Sequence, residues 1–185
     1  LSVVDHGSVL VALPSIEEAF DTDLPTVQWV ILGYSLAISV LLLPMGRLGD
    51  IVGRRQVYIA GFVIFVVASV LAGASPNLAA LIGAKVLQGA GSAMIQGNSM
   101  AIIISTFPGS ERGKALGSHL SVVGTGAVAG PALGGLLVSA LNWRWVFYIN
   151  VPVGIIGIAA AALVLAGGRS APEGGAGSPP AFDWL

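Results

Sequence analysis

Charge is missing from most of this chain, and it is missing in blocks. No Asp, Glu, Lys or Arg lies between Asp23 and Arg47, Arg55 and Lys85, Lys85 and Glu111, Lys114 and Arg144, or Arg144 and Arg169. Each block is long enough for the roughly 20 residues that cross a bilayer core. An earlier apolar stretch, Leu1 to Phe20, holds only Asp5 before Glu17. The blocks predict six helices over about 1–19, 27–46, 56–75, 77–106, 114–141 and 145–167, and no strictly alternating pattern competes as strand. Composition agrees: of 185 residues 55% are hydrophobic and only 9% charged, against roughly 25% in soluble domains. A water-facing globule cannot be covered with so little polar surface. The 26 glycines and ten prolines sit inside apolar runs, where membrane helices tolerate them. A net charge of −1 offers no basic field for nucleic acid, and the absence of cysteine excludes a disulfide framework and thiolate metal sites. The fold class expected is an all-α, polytopic membrane protein.

The connections orient it. Glu17, Glu18, Asp21 and Asp23 make the first loop acidic, whereas Arg47, Arg54, Arg55, Arg112, Lys114 and Arg169 all fall on the opposite side, leaving Arg144 alone with the acids. The positive-inside rule places those six basic residues, and both chain ends, in the cytoplasm. Trp29, Trp143, Trp145 and Tyr148 then mark the outer boundary. Two triplets of helices, each of odd number, must run in inverted orientations, as in many secondary transporters. The chain starts without Met and has neither the basic region nor the cleavage site of a signal peptide, so the first helix looks truncated. Residues 1–167 are expected to form the six-helix bundle and 168–180 a flexible cytoplasmic linker (RSAPEGGAGSPP follows Gly168). Residues 181–185 look like the start of a further, missing helix.

Four motifs carry chemistry. Between the second and third helices stands Gly46-Arg47-Leu48-Gly49-Asp50-Ile51-Val52-Gly53-Arg54-Arg55, read as a tight basic loop. Topology needs the arginines but not Asp50, an acid able to cap a helix or pair with one of them. The fifth helix holds Gly126-x-x-x-Gly130-Pro131-x-x-Gly134-Gly135. Such a stripe admits a neighbouring backbone at close range, with a bend where Pro131 lacks its N–H. The fourth helix carries Lys85, Gln88, Gly89, Ser92, Gln96 and Ser99 within one narrow sector, a polar stripe that must face protein or water rather than lipid. The first helix offers Asp5 ahead of Val11-Ala12-Leu13-Pro14. Counting from Glu17, Asp5 lies roughly 18 Å deep, and counting from Asn77, Lys85 lies roughly 12 Å deep, at about 1.5 Å per residue. Both belong in the middle of the core. His6 and His119 lack partner spacing for a metal, and Asn150-Val151-Pro152 reads as a simple kink. No phosphate loop, nucleophile elbow, metal cluster or dinucleotide fingerprint occurs, so an enzyme is not expected.

These motifs together resemble the major facilitator superfamily. The Gly46–Arg55 run is similar to its G-x-L-x-D-x-x-G-R-[RK] signature, the helix-5 run to the motif of its drug:proton antiporters, and Lys85-x-x-Gln88-Gly89 to a fourth-helix motif in which Arg is usual. The Asp5 to Pro14 segment is similar to the first helix of the fourteen-helix multidrug branch, with Leu10 where Asn is usual. The resemblance implies the amino-terminal half of a secondary transporter in the plasma (inner) membrane. It implies small-molecule efflux by alternating access, driven by protons without a cofactor and completed by a missing carboxyl-terminal half. By matched position it nominates Asp5 and Lys85 for proton coupling, Gln88, Ser92 and Gln96 for the substrate cavity, and Gly46, Asp50, Gly53, Arg54 and Arg55 for a cytoplasmic gate. Gly126, Gly130, Pro131, Gly134 and Gly135 form the antiporter motif. A uniporter or symporter of the same superfamily, or a non-transporting membrane scaffold or sensor, is the alternative.

Overall fold

The computed structural model describes residues 1–164. The expected linker (168–180) and the expected start of a further helix (181–185) lie outside the described residues. Eight helical pieces make six passes: α1 (Ser2–Phe20), α2 (Leu24–Val27) with α3 (Trp29–Val52), α4 (Arg54–Gly73), α5 (Leu78–Thr106), α6 (Gly109–Ala140), and α7 (Trp145–Tyr148) with α8 (Asn150–Val164). Among the described residues there is no strand. Five passes are long and apolar enough to cross a membrane. The exception is α1, which carries Asp5, Glu17 and Glu18 in 19 residues and is held in the bundle by packing. Apolar side chains left exposed, such as Leu43, Val128 and Leu163, are the surface that a lipid-facing bundle requires.

The joints follow local chemistry. Asp21 closes α1 in the left-handed conformation (φ 47°). Asn77 caps α5 by accepting from the Ala80 N–H at 2.8 Å. The sixth pass breaks at Ile149 because Pro152 has no N–H to give the Tyr148 carbonyl. Two helices run further than expected at the basic end of the bundle. The second pass continues to Val52 and the fifth begins at Gly109, so Arg112 and Lys114 stand inside a helix. Charge marks where the bilayer core ends, whereas nothing stops the helix there until a backbone feature does. The stretch read as a basic loop is therefore helical up to Val52, and the connection is Gly53 alone, at φ 113°. A side chain is strained in that conformation.

The passes pack as α3 and α4 against α5, α1 against α6, and α4 against α7 and α8. The densest apolar core gathers Val9, Leu13, Ile16, Val30, Leu81 and Phe147, toward the acidic end. At that end Arg144 donates to the carbonyls of Gly73 and Ser75 (3.4 and 3.2 Å) and lies over the Trp143 ring at 4.3 Å, tying the third pass to the sixth. The basic half of α6 is mostly exposed. Its other half meets α1 backbone to backbone: a Cβ on Gly130 would stand 2.7 Å from the Val4 oxygen, and one on Gly134 2.6 Å from Ser8 Cα. Ser8 Oγ seals the crossing by donating to the Gly130 carbonyl at 2.7 Å.

Gly130→Leu is therefore expected to destabilise the full-length protein by on the order of 1–3 kcal/mol through overpacking. Gly135, where a Cβ would meet only Val11 at an ordinary 3.8 Å, should gain up to about 1 kcal/mol as Ala. Thermal unfolding in detergent measures both, and equal midpoints for the two variants would contradict the close crossing.

Candidate functional site

A charged network lies sealed in the bundle. Asp5 of α1 and Lys85 of α5, the two groups that depth counting puts near one level, are in contact: Lys85 Nζ stands 2.6 Å from Asp5 Oδ2, with both residues 1% exposed. Lys85 also donates to Gln88 Oε1 at 2.5 Å and lies 4.3 Å from the centre of the Tyr34 ring. The other carboxylate oxygen, Oδ1, accepts from Asn150 Nδ2 at 2.6 Å and from Gln88 Nε2 at 3.2 Å. Gln88 Nε2 donates in addition to Ser69 Oγ at 2.8 Å. Three passes thus meet at one carboxylate, and a fourth joins the network through Ser69. Isolated charges in such a place cost several kcal/mol each, and only close pairing with further hydrogen bonds offsets this.

Around this centre the nominated residues separate. Ser92 is buried one turn beyond Gln88 and bonds the Tyr34 hydroxyl at 2.9 Å. Gln96 lies on the same sector of α5 but is exposed. Gln96 faces a cavity of about 380 Å³ lined also by His6, Tyr34, Ser35, Ser39 and Ala127. A second hollow of about 400 Å³ continues past Gln96 to Gly46, Arg47 and Asp50. Asp5 itself does not line either space; His6 and Tyr34 stand between it and the opening, their rings 6.1 Å apart.

At the basic end Asp50 pairs with Arg54 one helical turn on, at 3.0 Å across the Gly53 joint, and Arg54 reaches the Ala101 carbonyl of α5 at 3.3 Å. Arg55 points elsewhere, to the Ala162 carbonyl of α8 at 3.1 Å. Gly46 lets α3 approach Gly97, and Gly49 is crowded by Asn98, whose Nδ2 bonds the Met45 and Met94 carbonyls. Pro131 packs on Gly7, whose Cβ position lies 2.8 Å from the ring.

Sequence reasoning passed over Ser69, Tyr34 and Asn98, and took Asn150 only as part of a kink. Ser69 and Asn150 had a signal, being isolated hydrogen-bonding side chains deep in otherwise apolar passes, where such groups need partners. Tyr34 had none, since an aromatic residue in a membrane helix is ordinary until a cation is found over it. Among the described residues no group of His, Cys, Asp or Glu could hold a metal ion.

This arrangement, a six-pass helical bundle with a buried ion pair beside an open cavity, is that of a membrane transporter half. The chain belongs to the Major Facilitator Superfamily, whose profile matches residues 1–182; this is a family of transporters rather than enzymes. Among curated relatives it is 38% identical over 167 residues to the tetracenomycin C resistance and export protein of Streptomyces glaucescens, covering 90% of this chain and 31% of that protein. It is 40% identical over 154 residues to the drug efflux pump JefA of Mycobacterium tuberculosis, covering 83% and 30%. It is 35% identical over 158 residues to the riboflavin transporter RibZ of Clostridioides difficile, covering 85% and 35%. The chain therefore spans about a third of the length of these relatives. Its fold matches the crystal structure of a bacterial homologue of the human lysosomal transporter Spinster, inward-facing and unoccupied, with a TM-score of 0.66 and 21% identity over 98% of this chain and 43% of that one.

Removing one partner of the buried pair leaves the other charge uncompensated, at about 3–5 kcal/mol, whereas replacing both with apolar groups is often neutral. Lys85→Met should thus unfold at lower temperature than the wild type, and Asp5→Leu added to it should restore much of the loss. A double variant no more stable than Lys85→Met would show that the two charges do not depend on each other.

Proposed function

We propose that this chain is the amino-terminal half of a proton-coupled exporter of small molecules, working by alternating access with a carboxyl-terminal half that follows the 168–180 linker and begins near residue 181. The observation that carries the reading is the Asp5–Lys85 pair, buried at the level of the cavity. An acid in a dry bundle interior can hold a proton on one side of the membrane and give it up on the other, provided a base nearby changes its environment as it does so. Export of a drug-like molecule is supported by the relatives named as resistance and efflux proteins. The basic end of the bundle is read as the cytoplasmic one, with both ends of residues 1–185 on that side, in keeping with the positive-inside rule; the plasma membrane is the location the reading takes.

Asp5 is the proton carrier in this proposal and Lys85 tunes it. The cavity wall of His6, Tyr34, Ser39 and Gln96 receives the substrate, with Gln88 and Ser92 supporting that wall from behind. Asp50 and Arg54 form a gate at the cytoplasmic end, where their exposed pairing is free to be exchanged for contacts with the other half. Arg55, bonded to the end of α8, anchors the third pass to the sixth, and the Gly126–Gly135 stripe holds α6 against α1.

Exchange of a fluorescent substrate by the full-length protein in liposomes with an imposed pH gradient tests the reading. Asp5→Asn is expected to abolish uphill transport while sparing downhill equilibration. Lys85→Arg, which cannot release its proton, should move the transport profile toward lower pH, because a permanent cation holds the carboxylate ionised. Gradient-driven transport surviving in Asp5→Asn would sink the assignment.

The gate has its own test. Asp50→Asn should reduce turnover at least several-fold with normal membrane abundance, through loss of the Arg54 pair and of the orientation it gives across Gly53. Wild-type turnover at equal abundance would remove Asp50 from the gate.

A further inference from the structure

The network around Asp5 contains two side-chain amides, and they are not equivalent. The orientation of Gln88 is fixed by its neighbours. Ser69 Oγ spends its own hydrogen on the Phe65 carbonyl at 2.7 Å, so toward Gln88 it can only accept, and Gln88 must present Nε2 to it. At its other end Gln88 Oε1 takes the Lys85 ammonium, which can only donate. Turning this amide over would set N–H against ammonium and oxygen against oxygen. Asn150 is under no such constraint. Its Nδ2 has one hydrogen-bond partner, Asp5 Oδ1 at 2.6 Å, and among the described residues its Oδ1 accepts no hydrogen bond. It also opens α8 immediately after the Ile149 break.

Protonation of Asp5 makes this difference matter. Oδ2 faces the ammonium of Lys85, so a proton is accommodated most readily on Oδ1. There it meets two amide N–H groups, and three donors cannot share one interface. One of them must become an acceptor, and only Asn150 is free to do so. We propose that Asn150 is a positioning residue that adapts the site to both protonation states of Asp5: its amide donates to the carboxylate and turns over to accept from the carboxylic acid. The proton is delivered by hydronium, whose O–H bond breaks to leave water, an O–H bond forms at Oδ1, and the carboxylate loses its charge. At this step Lys85 is still an ammonium, held by Gln88 Oε1 and the Tyr34 ring. The other titratable groups near the carboxyl are His6 on α1 itself and Tyr34 from α3. The face of α6 against α1 carries none, α4 gives Ser69 and α8 gives Asn150. This inference rests on the reading of Asp5 as proton carrier.

The test is a pH titration of full-length protein in lipid membranes followed by difference infrared spectroscopy, with asparagine labelled by carbon-13 at its side-chain carbonyl. The carboxylic C=O band belonging to Asp5 is the one missing in Asp5→Asn, and the amide band belonging to Asn150 is the one missing in Asn150→Thr. Both bands are expected to change with a common midpoint. Asn150→Leu should raise that carboxyl midpoint by about one pH unit, because the bond to the charged form is the stronger of the two lost. Asn150→Thr, whose hydroxyl both donates and accepts, should shift it by less than Asn150→Leu does. If Asn150→Leu fails to insert, the wild-type amide band and the Thr variant decide the matter. An amide band that stays silent while Asp5 titrates, or a midpoint unmoved in both variants, overturns the inference and leaves the carrier in place. If no Asp5 band titrates and Asp5→Asn still sustains uphill transport, the carrier reading falls and this one with it.

Discussion

An ion pair in the middle of a membrane bundle tolerates no looseness. Asp5 and Lys85 come from the first and fourth passes, 80 residues apart, and each is tolerated in that setting only while the other is within reach. The contact therefore fixes the height of α1 against α5, and the hydrogen bonds from Gln88, Ser69 and Asn150 draw in α4 and α8. It also accounts for α1 belonging to the bundle at all. With three acids in 19 residues, that helix lacks the uniform apolarity of the other passes. Its position depends on its carboxylate being satisfied and on the close approach of α6.

The two helix triplets use the same devices in exchanged places. A two-fold relation that swaps α1 with α5, α3 with α6 and α4 with α8 turns the α1–α6 crossing into the α3–α5 crossing. Both are made at backbone range: Gly130 and Gly134 lie on Val4 and Ser8, and Gly89 and Gly97 lie on the carbonyls of Tyr34 and Leu42, at 2.6 and 2.8 Å from where a Cβ would stand. The polar centre obeys the same relation. Asp5 answers Lys85 and Gln88 on the first helix of each triplet, and Ser69 answers Asn150 on the third. Inverted triplets bring such positions together near the pseudo-axis, so that a charge and its countercharge arise from equivalent places in the two triplets.

How much of this could be read beforehand depended on which geometric variable was at stake. Depth was legible: charge-free blocks counted the passes, and distance from Glu17 and Asn77 put Asp5 and Lys85 near one level. Helix ends were less so. Arg47 and Arg112 mark the edge of the bilayer core, yet the backbone stays helical past both, and only the positive φ of Gly53 ends α3. Azimuth between helices was not legible at all. The periodicity of α5 puts Gln88 and Gln96 on one face, but whether that face is covered depends on where α1 and α3 lie. Arg54 and Arg55 are adjacent in sequence, and one helical step of about 100° turns the first toward Asp50 and the second toward α8. Asn150 was read as part of a kink because its partner is 145 residues away.

Every hydrogen bond that the Asp5 carboxylate receives comes from within this single six-pass bundle. Among the described residues the carboxylate is thus fully paired, by side chains of α5 and α8 alone. The residues that line the open cavity, Ser35, Ser39 and Gln96 among them, make none of these bonds. On the proposed reading, the cavity wall can therefore be reshaped residue by residue while the charged centre keeps every contact it has.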